Sequence, residues 1–326
     1  MKNCLLILLI LACTKASAQS TSGITNAPDT SYSNYNAYIS TLKTHPDIKP
    51  VYEFHFAAVK EKRGITYCML DKRSLKLDAF YPAANDKKKR TAIIIIHGGG
   101  WRTGNRTQHY PLAQKLASLG YVCFTPEYRL STEALYPAGV NDVKTSIRWV
   151  HENAGQYNID TSRITVLGFS AGGELAAFMG ATNGMDKFEG NNNCLANSSS
   201  WIHAVIDMDG ILAFIHPESG EGDDSKRISA ATNWFGFSKT DNPGLWNDGS
   251  PLTHTGKHTP PTLFINSGVE RMHAGREDYI KILNQYNIYS EIKTFEGAPH
   301  SFCLFEPWFE PTINYIDVFL KKVFKK

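Results

Sequence analysis

Three groups of residues have the types and spacing needed for nucleophilic attack on a carbonyl. The first is Gly168-Phe169-Ser170-Ala171-Gly172-Gly173, a G-x-S-x-G pattern. A serine in that setting sits on a tight turn between a strand and a helix, and its small neighbours leave the hydroxyl uncovered. The second is His97-Gly98-Gly99-Gly100-Trp101. Backbone N–H groups with no side chains in the way can converge on an oxygen that becomes negative during attack, and one such donor is worth about 2.7 to 4 kcal/mol of barrier. Gly99, Gly100 and Ala171 are the expected donors, with the Trp101 N–H as a substitute for one of the glycines. The third is Gly297-Ala298-Pro299-His300-Ser301-Phe302. A serine hydroxyl needs a base, and of the 11 histidines His300 follows the last expected strand, at the sheet end that carries Ser170. His97 is expected to orient the glycine loop. The other histidines, His273 among them, are expected to be surface, cap or packing residues.

A carboxylate must fix the imidazole tautomer. The expected place is the turn after a strand at residues 262–266, where Gly268-Val269-Glu270-Arg271 offers Glu270 and gives the chain order serine, acid, histidine. Asp209, at the end of a strand over 203–208, is the second candidate and Asp278 the third.

Bringing these groups together demands a particular scaffold. Residues 65–70 and 75–81 alternate in polarity around Asp71-Lys72-Arg73-Ser74, the pattern of an antiparallel hairpin. Residues 91–97 include four consecutive isoleucines, which suits a strand buried on both faces of a parallel sheet. Helical patterns near 110–119, 140–154 and 171–180 alternate with strands at 121–126, 164–168 and 203–208. A strand at 262–266, a helix at 276–286, a strand at 290–295 and a closing helix at 311–324 complete the series. Such alternation predicts a mainly parallel sheet with helices on both faces. Residues 210–257 break the rhythm with a Pro, Gly and acid-rich stretch and then the aromatic patch Trp234, Phe235 and Phe237. A structureless loop of that length is uncommon in a compact domain, so a small cap over the sheet edge is expected at about 211–257.

Composition sets outer limits. With 326 residues, 42% hydrophobic and 20% charged, the chain is neither disordered nor collagenous nor a polytopic membrane protein. Its formal charge of +3 becomes +1 once Lys2 and Lys15 are set aside, and its basic runs are short, which argues against nucleic acid as a partner. The opening Met1-Lys2, the apolar run to Cys13, and Ala16-Ser17-Ala18 before Gln19 read as a secretory signal over residues 1–18. A lipoprotein signal that acylates Cys13, the route to a membrane, and a retained anchor are the alternatives. The rest, 19–326, reads as one domain carrying the cap. Outside the leader lie Cys68, Cys123, Cys194 and Cys303, with no C-x-x-C pair and no histidine at zinc spacing, so no metal site is expected. Cys123 reads as a core residue, whereas Cys194, in a polar loop, is free to pair with another cysteine.

The HGGGW and GFSAGG motifs, the late APHSF histidine and the strand order resemble the α/β-hydrolase superfamily over about residues 65–324. The likeness is strongest to its esterase branch, related to hormone-sensitive lipases and feruloyl esterases. Tyr128-Arg129-Leu130, Tyr136-Pro137-Ala138 and Asn141-Asp142-Val143 resemble that branch too. More narrowly, Asp207-Met208-Asp209-Gly210, His216-Pro217-Glu218-Ser219, His273-Ala274-Gly275-Arg276 and the stretch from Pro307 to Thr312 resemble secreted bacterial carbohydrate esterases acting on plant cell-wall polysaccharide, including pectin methylesterases. In one respect the chain departs from the branch, which places Asp after a His-Gly pair in the turn following the seventh strand. Here Asn266-Ser267 and Glu270 stand instead.

The resemblance implies a serine esterase that works through an acyl-enzyme without metal or organic cofactor. Its substrate would be a polysaccharide or oligosaccharide carrying methyl or acetyl esters, pectin favoured. Arg102, Arg106, Arg271 and Arg276 are then candidates for holding uronate carboxylates, and Trp101 or Trp308 for a sugar platform. Alternatives are an acetyl xylan or feruloyl esterase, a serine peptidase of the same fold, and an inactive carbohydrate-binding protein.

Overall fold

A computed structural model describes residues 18–84, 86–190, 194–195 and 197–325. The expected leader, with Cys13, lies outside the described residues except for Ala18. The described residues form an eight-stranded sheet. Its strands are β1 (Val59–Leu70), β2 (Arg73–Pro82), β3 (Arg90–Ile96), β4 (Val122–Pro126), β5 (Ile159–Phe169), β6 (Ala204–Met208), β7 (Thr262–Asn266) and β8 (Ser290–Thr294). Their spatial order is β1-β2-β4-β3-β5-β6-β7-β8. β1 and β2 make the expected hairpin, and β2 pairs antiparallel with β4; every later pairing is parallel. This is the α/β-hydrolase fold.

The helices are α1 (Asn34–Thr41), α2 (Tyr110–Ser118), α3 (Ala138–Glu152), α4 (Ala171–Ala181), α5 (Ala230–Phe235), α6 (Pro243–Asp248), α7 (Pro251–His254), α8 (Arg276–Gln285) and α9 (Phe309–Val323). The isoleucine run explains why both sheet faces must be covered. Ile93 and Ile95 enter the core formed with α2 and α9, while Ile94 and Ile96 enter the core formed with α3, α4 and α8. Burying each such side chain contributes about 1.5 to 3 kcal/mol, so the centre of the sheet is the most firmly anchored part of the scaffold.

Two regions add structure that the sequence left open. The polar stretch 19–50 contains α1, and Lys49–Pro50 pairs antiparallel with Phe305–Glu306 beyond the His300 turn. Cys68 on β1 forms a disulfide with Cys194, tying the hairpin to the connection after α4, while Cys123 and Cys303 are free and buried. Residues 211–257 hold three short helices whose aromatics interlock. Trp234 packs 4.9 Å from Phe235, Phe235 packs 4.8 Å from Trp246, and Phe214 lies 5.1 Å from Phe235. The N-terminal segment lies against this cluster through the Ser20 N–H on the Gly236 carbonyl at 2.6 Å and the Gln19 amide on the Phe235 carbonyl at 2.9 Å.

Candidate active site

Ser170 follows β5 directly and opens α4. Its backbone has φ 57° and ψ −123°, a conformation that costs on the order of 1 to 3 kcal/mol and persists only where the surroundings enforce it. They do so here through close packing. A Cβ on Gly168 would fall 1.8 Å from the Gly172 carbonyl oxygen, and one on Gly172 would fall 2.2 Å from that of Ile96. The Ser170 N–H is fixed on the Met208 carbonyl at 2.8 Å. The motif is therefore a strand, a strained turn and a helix packed so tightly that only glycine fits on either side of the serine.

The Ser170 hydroxyl stands 2.8 Å from His300 Nε2, donating when that nitrogen is unprotonated. On the other side of the ring, Nδ1 lies 2.9 Å from Asp209 Oδ2. His300 also leans on the Phe169 ring at 4.9 Å. Asp209 lies just past β6 with a left-handed backbone, φ 53°, and is fully buried. Its Oδ1 accepts the Ser267 N–H at 2.7 Å and the Asn266 amide at 3.5 Å, both from the end of β7. His273 Nε2 stands 3.7 Å from the same oxygen. Burial opposes ionisation of Asp209, but His273, His300 and Ser267 together outweigh it and bring the carboxyl down to about 2.

This arrangement corrects the expected acid. Glu270 is exposed, in a short turn after β7, and makes no contact with His300. Asp278 sits on α8 paired with His216 at 3.3 Å. The physical reason is adjacency. β6 and β7 pair in parallel through Met208 and Ile265, so their ends open side by side, and it is the β6 end whose carboxyl reaches the imidazole. His273, expected to be a surface, cap or packing residue, instead faces the acid.

Gly99, Gly100 and Ala171 line one cavity of about 700 Å³ with Ser170 and His300. The glycine loop is held from behind. The Gly98 N–H donates to Gln108 Oε1 at 2.7 Å, and His97 stacks on Tyr128 at 4.5 Å with Nδ1 2.9 Å from the Gly98 carbonyl. Burial lowers the His97 pKa to about 4, so the ring is neutral and acts as a spacer, in line with its expected role. At Gly99, φ is 121° and a Cβ would lie 2.1 Å from the Thr103 carbonyl oxygen, so glycine is obligatory.

Sequence reasoning passed over Gln108 and Glu174. The Trp101 indole N–H donates to Glu174 Oε2 at 2.9 Å, and burial pushes that carboxyl well above the usual range. A lone acid inside the otherwise small and apolar AGGELAAF segment was the available signal.

The expected substrate contacts divide. Arg102 and Arg271 both line the cavity. Arg271 pairs with Glu221 at 3.4 Å, whereas Arg102 Nη1 has no hydrogen-bond partner among the described residues. Arg227 lines the cavity as well and was not anticipated. Arg106 is spent on Asp78 at 2.7 Å and Glu127 at 3.1 Å, and Arg276 on Asn266 at 2.7 Å; neither reaches the cavity. Trp101 borders the cavity but is 4% exposed, stacked on Trp234 at 4.9 Å, so its ring forms wall and offers no open face to a sugar. Trp308 lies beside His45, outside the cavity lining.

Comparison with known proteins agrees with this architecture. Esterase LipC of Mycobacterium tuberculosis is 28% identical over 246 residues, covering 72% of this chain and 59% of LipC. Carboxylesterase NlhH of the same organism is 33% identical over 144 residues, 44% of this chain and 42% of that protein. The chain thus spans between about two fifths and three fifths of these curated relatives. Among solved structures, a truncated carbohydrate esterase from gut microbiota superposes with a TM-score of 0.66 at 23% identity, over 84% of this chain and 100% of the other. The butyrate-bound esterase Est2 of Thermogutta terrifontis gives 0.65 at 24% identity, over 82% and 95%. These two likenesses speak for the fold. The profile of the BD-FAE family matches residues 77–272, from β2 through the glycine loop, Ser170 and Asp209 to the turn after β7, and the chain belongs to that family.

Proposed function

We propose that the chain is an exported serine esterase that removes small methyl or acetyl esters from plant cell-wall polysaccharide, pectin favoured. The observation that carries the reading is the hydrogen-bonded series Ser170–His300–Asp209, at 2.8 and 2.9 Å, opening on a cavity that also exposes the glycine loop. Ser170 Oγ attacks the ester carbonyl while His300 Nε2 takes its proton. The resulting oxyanion sits against the Gly99, Gly100 and Ala171 N–H groups. His300 then returns the proton to the leaving alcohol, and water repeats the sequence to free the acid and the serine. Asp209 holds Nδ1–H and steadies the imidazolium formed in both halves. Export accords with the apolar opening of the sequence and with the Cys68–Cys194 disulfide, which suits an oxidising compartment.

Methyl-esterified pectin would place a uronate carbonyl at Ser170, with neighbouring free carboxylates near Arg102 and Arg227. Acetyl esters of a neutral polysaccharide are the second reading. The Arg271–Glu221 pair supports it, because it cancels one of the cavity's positive charges. The test is release of methanol and acetate by the purified mature chain from methylated pectin, acetylated pectin and acetylated xylan, with Ser170→Ala as control. Methanol alone establishes the first reading and acetate alone the second. If neither appears while an aryl acetate is still cleaved by the parent and not by the variant, the serine esterase stands and the polysaccharide assignment fails.

A further inference from the structure

Tyr35 and Tyr52 are 69% and 75% exposed, more than any other large apolar or aromatic side chain among the described residues. Single exposed aromatics need no explanation, but these two line the same pocket, of about 360 Å³, outside the catalytic cavity. The pocket is built where the N-terminal segment meets the strand pairing of Lys49–Pro50 with Phe305–Glu306. Neither tyrosine hydroxyl has a hydrogen-bond partner among the described residues, and Ser33 and Thr107 also line the pocket.

We propose that this pocket is a second carbohydrate-binding site, taking uncharged pyranose residues of the polymer whose ester is cleaved at Ser170. A pyranose presents a C–H face and a rim of hydroxyls. An exposed aromatic ring covers the first at little entropic cost, and its hydroxyl, with neighbouring polar groups, answers the second. The charge pattern selects neutral sugars. No lysine, arginine or histidine lines the pocket, and its one carboxylate, Glu53, is already paired with Arg63. Free uronates would find no cation there, whereas methyl-esterified uronates and xylose residues carry no charge to be met.

Position strengthens the assignment. The loop that begins as the glycine motif serves both pockets. Arg102 and Thr103 line the catalytic cavity, and Asn105 and Thr107 line the second pocket. Between them the N-terminal segment crosses, with Asp29 bridged to Thr103 and the Tyr32 N–H on Thr103 Oγ1 at 3.2 Å. One short loop lines both sites, so a polymer held at the second raises the local concentration of ester at the first.

The choice of polymer rests on the proposed function, and the test keeps the two apart. In native gels containing highly methylated pectin, acetylated xylan or fully de-esterified polygalacturonate, the Ser170→Ala chain should be retarded by at least one of the first two, and any retardation by the third, which the arginines of the catalytic cavity can produce, should not depend on Tyr35 or Tyr52. Adding Tyr35→Ala and Tyr52→Ala should weaken that retardation at least tenfold, while Tyr35→Phe with Tyr52→Phe retains most of it. With Ser170 intact, the double alanine variant should hydrolyse an aryl acetate at the parent rate and lose activity only on polymer. Failure of both neutral polymers to retard the parent, equal retardation of parent and double alanine variant by those polymers, or retardation by polygalacturonate that the double alanine substitution abolishes would overturn the site. Loss of aryl acetate turnover in the parent would overturn the esterase reading instead and leave the gel result standing.

Discussion

The ends of β6 and β7 lie side by side, yet they do different work. The β6 end supplies Asp209, turned by a left-handed backbone so that one oxygen meets His300 at 2.9 Å. The turn after β7 carries Glu270, the acid that chain order favours, but the β7 end contributes donors, the Ser267 N–H at 2.7 Å and the Asn266 amide, to the remaining oxygen of Asp209. An acid in a triad must be both within reach of the imidazole and held by other groups. Glu270, exposed in its turn, has neither property. The role therefore follows from which carboxyl the local backbone aims inward, and a neighbouring strand end can keep the supporting half of the task.

That division can be broken from either side. The largest effect is expected at Asp209→Asn, which keeps the shape but favours the wrong imidazole tautomer. Turnover of an aryl acetate should fall about 10³- to 10⁴-fold, with KM little changed. A smaller effect is expected at His273→Leu, which removes the second imidazole facing Asp209. With that partner gone the carboxyl should rise from about 2 toward its ordinary value, and turnover should fall tenfold or less. The sign for stability follows from linkage. A depressed carboxyl adds stability, on the order of 2 kcal/mol here, that is present above about 3.8 and lost as pH falls through about 2. Acid unfolding curves of His273→Leu should therefore show a smaller loss that is complete at a higher pH within this window. The smallest effect is expected at Glu270→Gln, where aryl acetate turnover and acid unfolding should both stay within twofold of the parent. A loss comparable to that of Asp209→Asn would reverse the comparison.

Much of the scaffold was legible because its signals are local. Four isoleucines in a row require a strand covered on both faces, and glycines at 168 and 172 mark the turn into α4 at Ser170. The acid was legible only as a choice among three, because chain order says nothing about which of two adjacent parallel strands ends nearer the imidazole. Nor does a sequence display the positive φ that aims Asp209. Helix α1 escaped notice for a different reason. It has no buried residue, so it lacks the periodic apolar face by which helices are read. The Cys68–Cys194 pairing spans 126 residues and needs the fold to bring its partners together. Trp101 misled in the opposite direction. An aromatic beside a glycine loop reads as a sugar platform, but Trp234 stacks on its face.

The central claim is that Asp209, rather than Glu270, activates the Ser170–His300 pair. It is tested most directly by the rate at which a fluorophosphonate labels Ser170, a readout independent of the natural ester. Asp209→Asn should slow labelling at least about 10³-fold at neutral pH, and Glu270→Gln should leave it within about twofold of the parent. Slow labelling of Glu270→Gln with near-parental labelling of Asp209→Asn would contradict it.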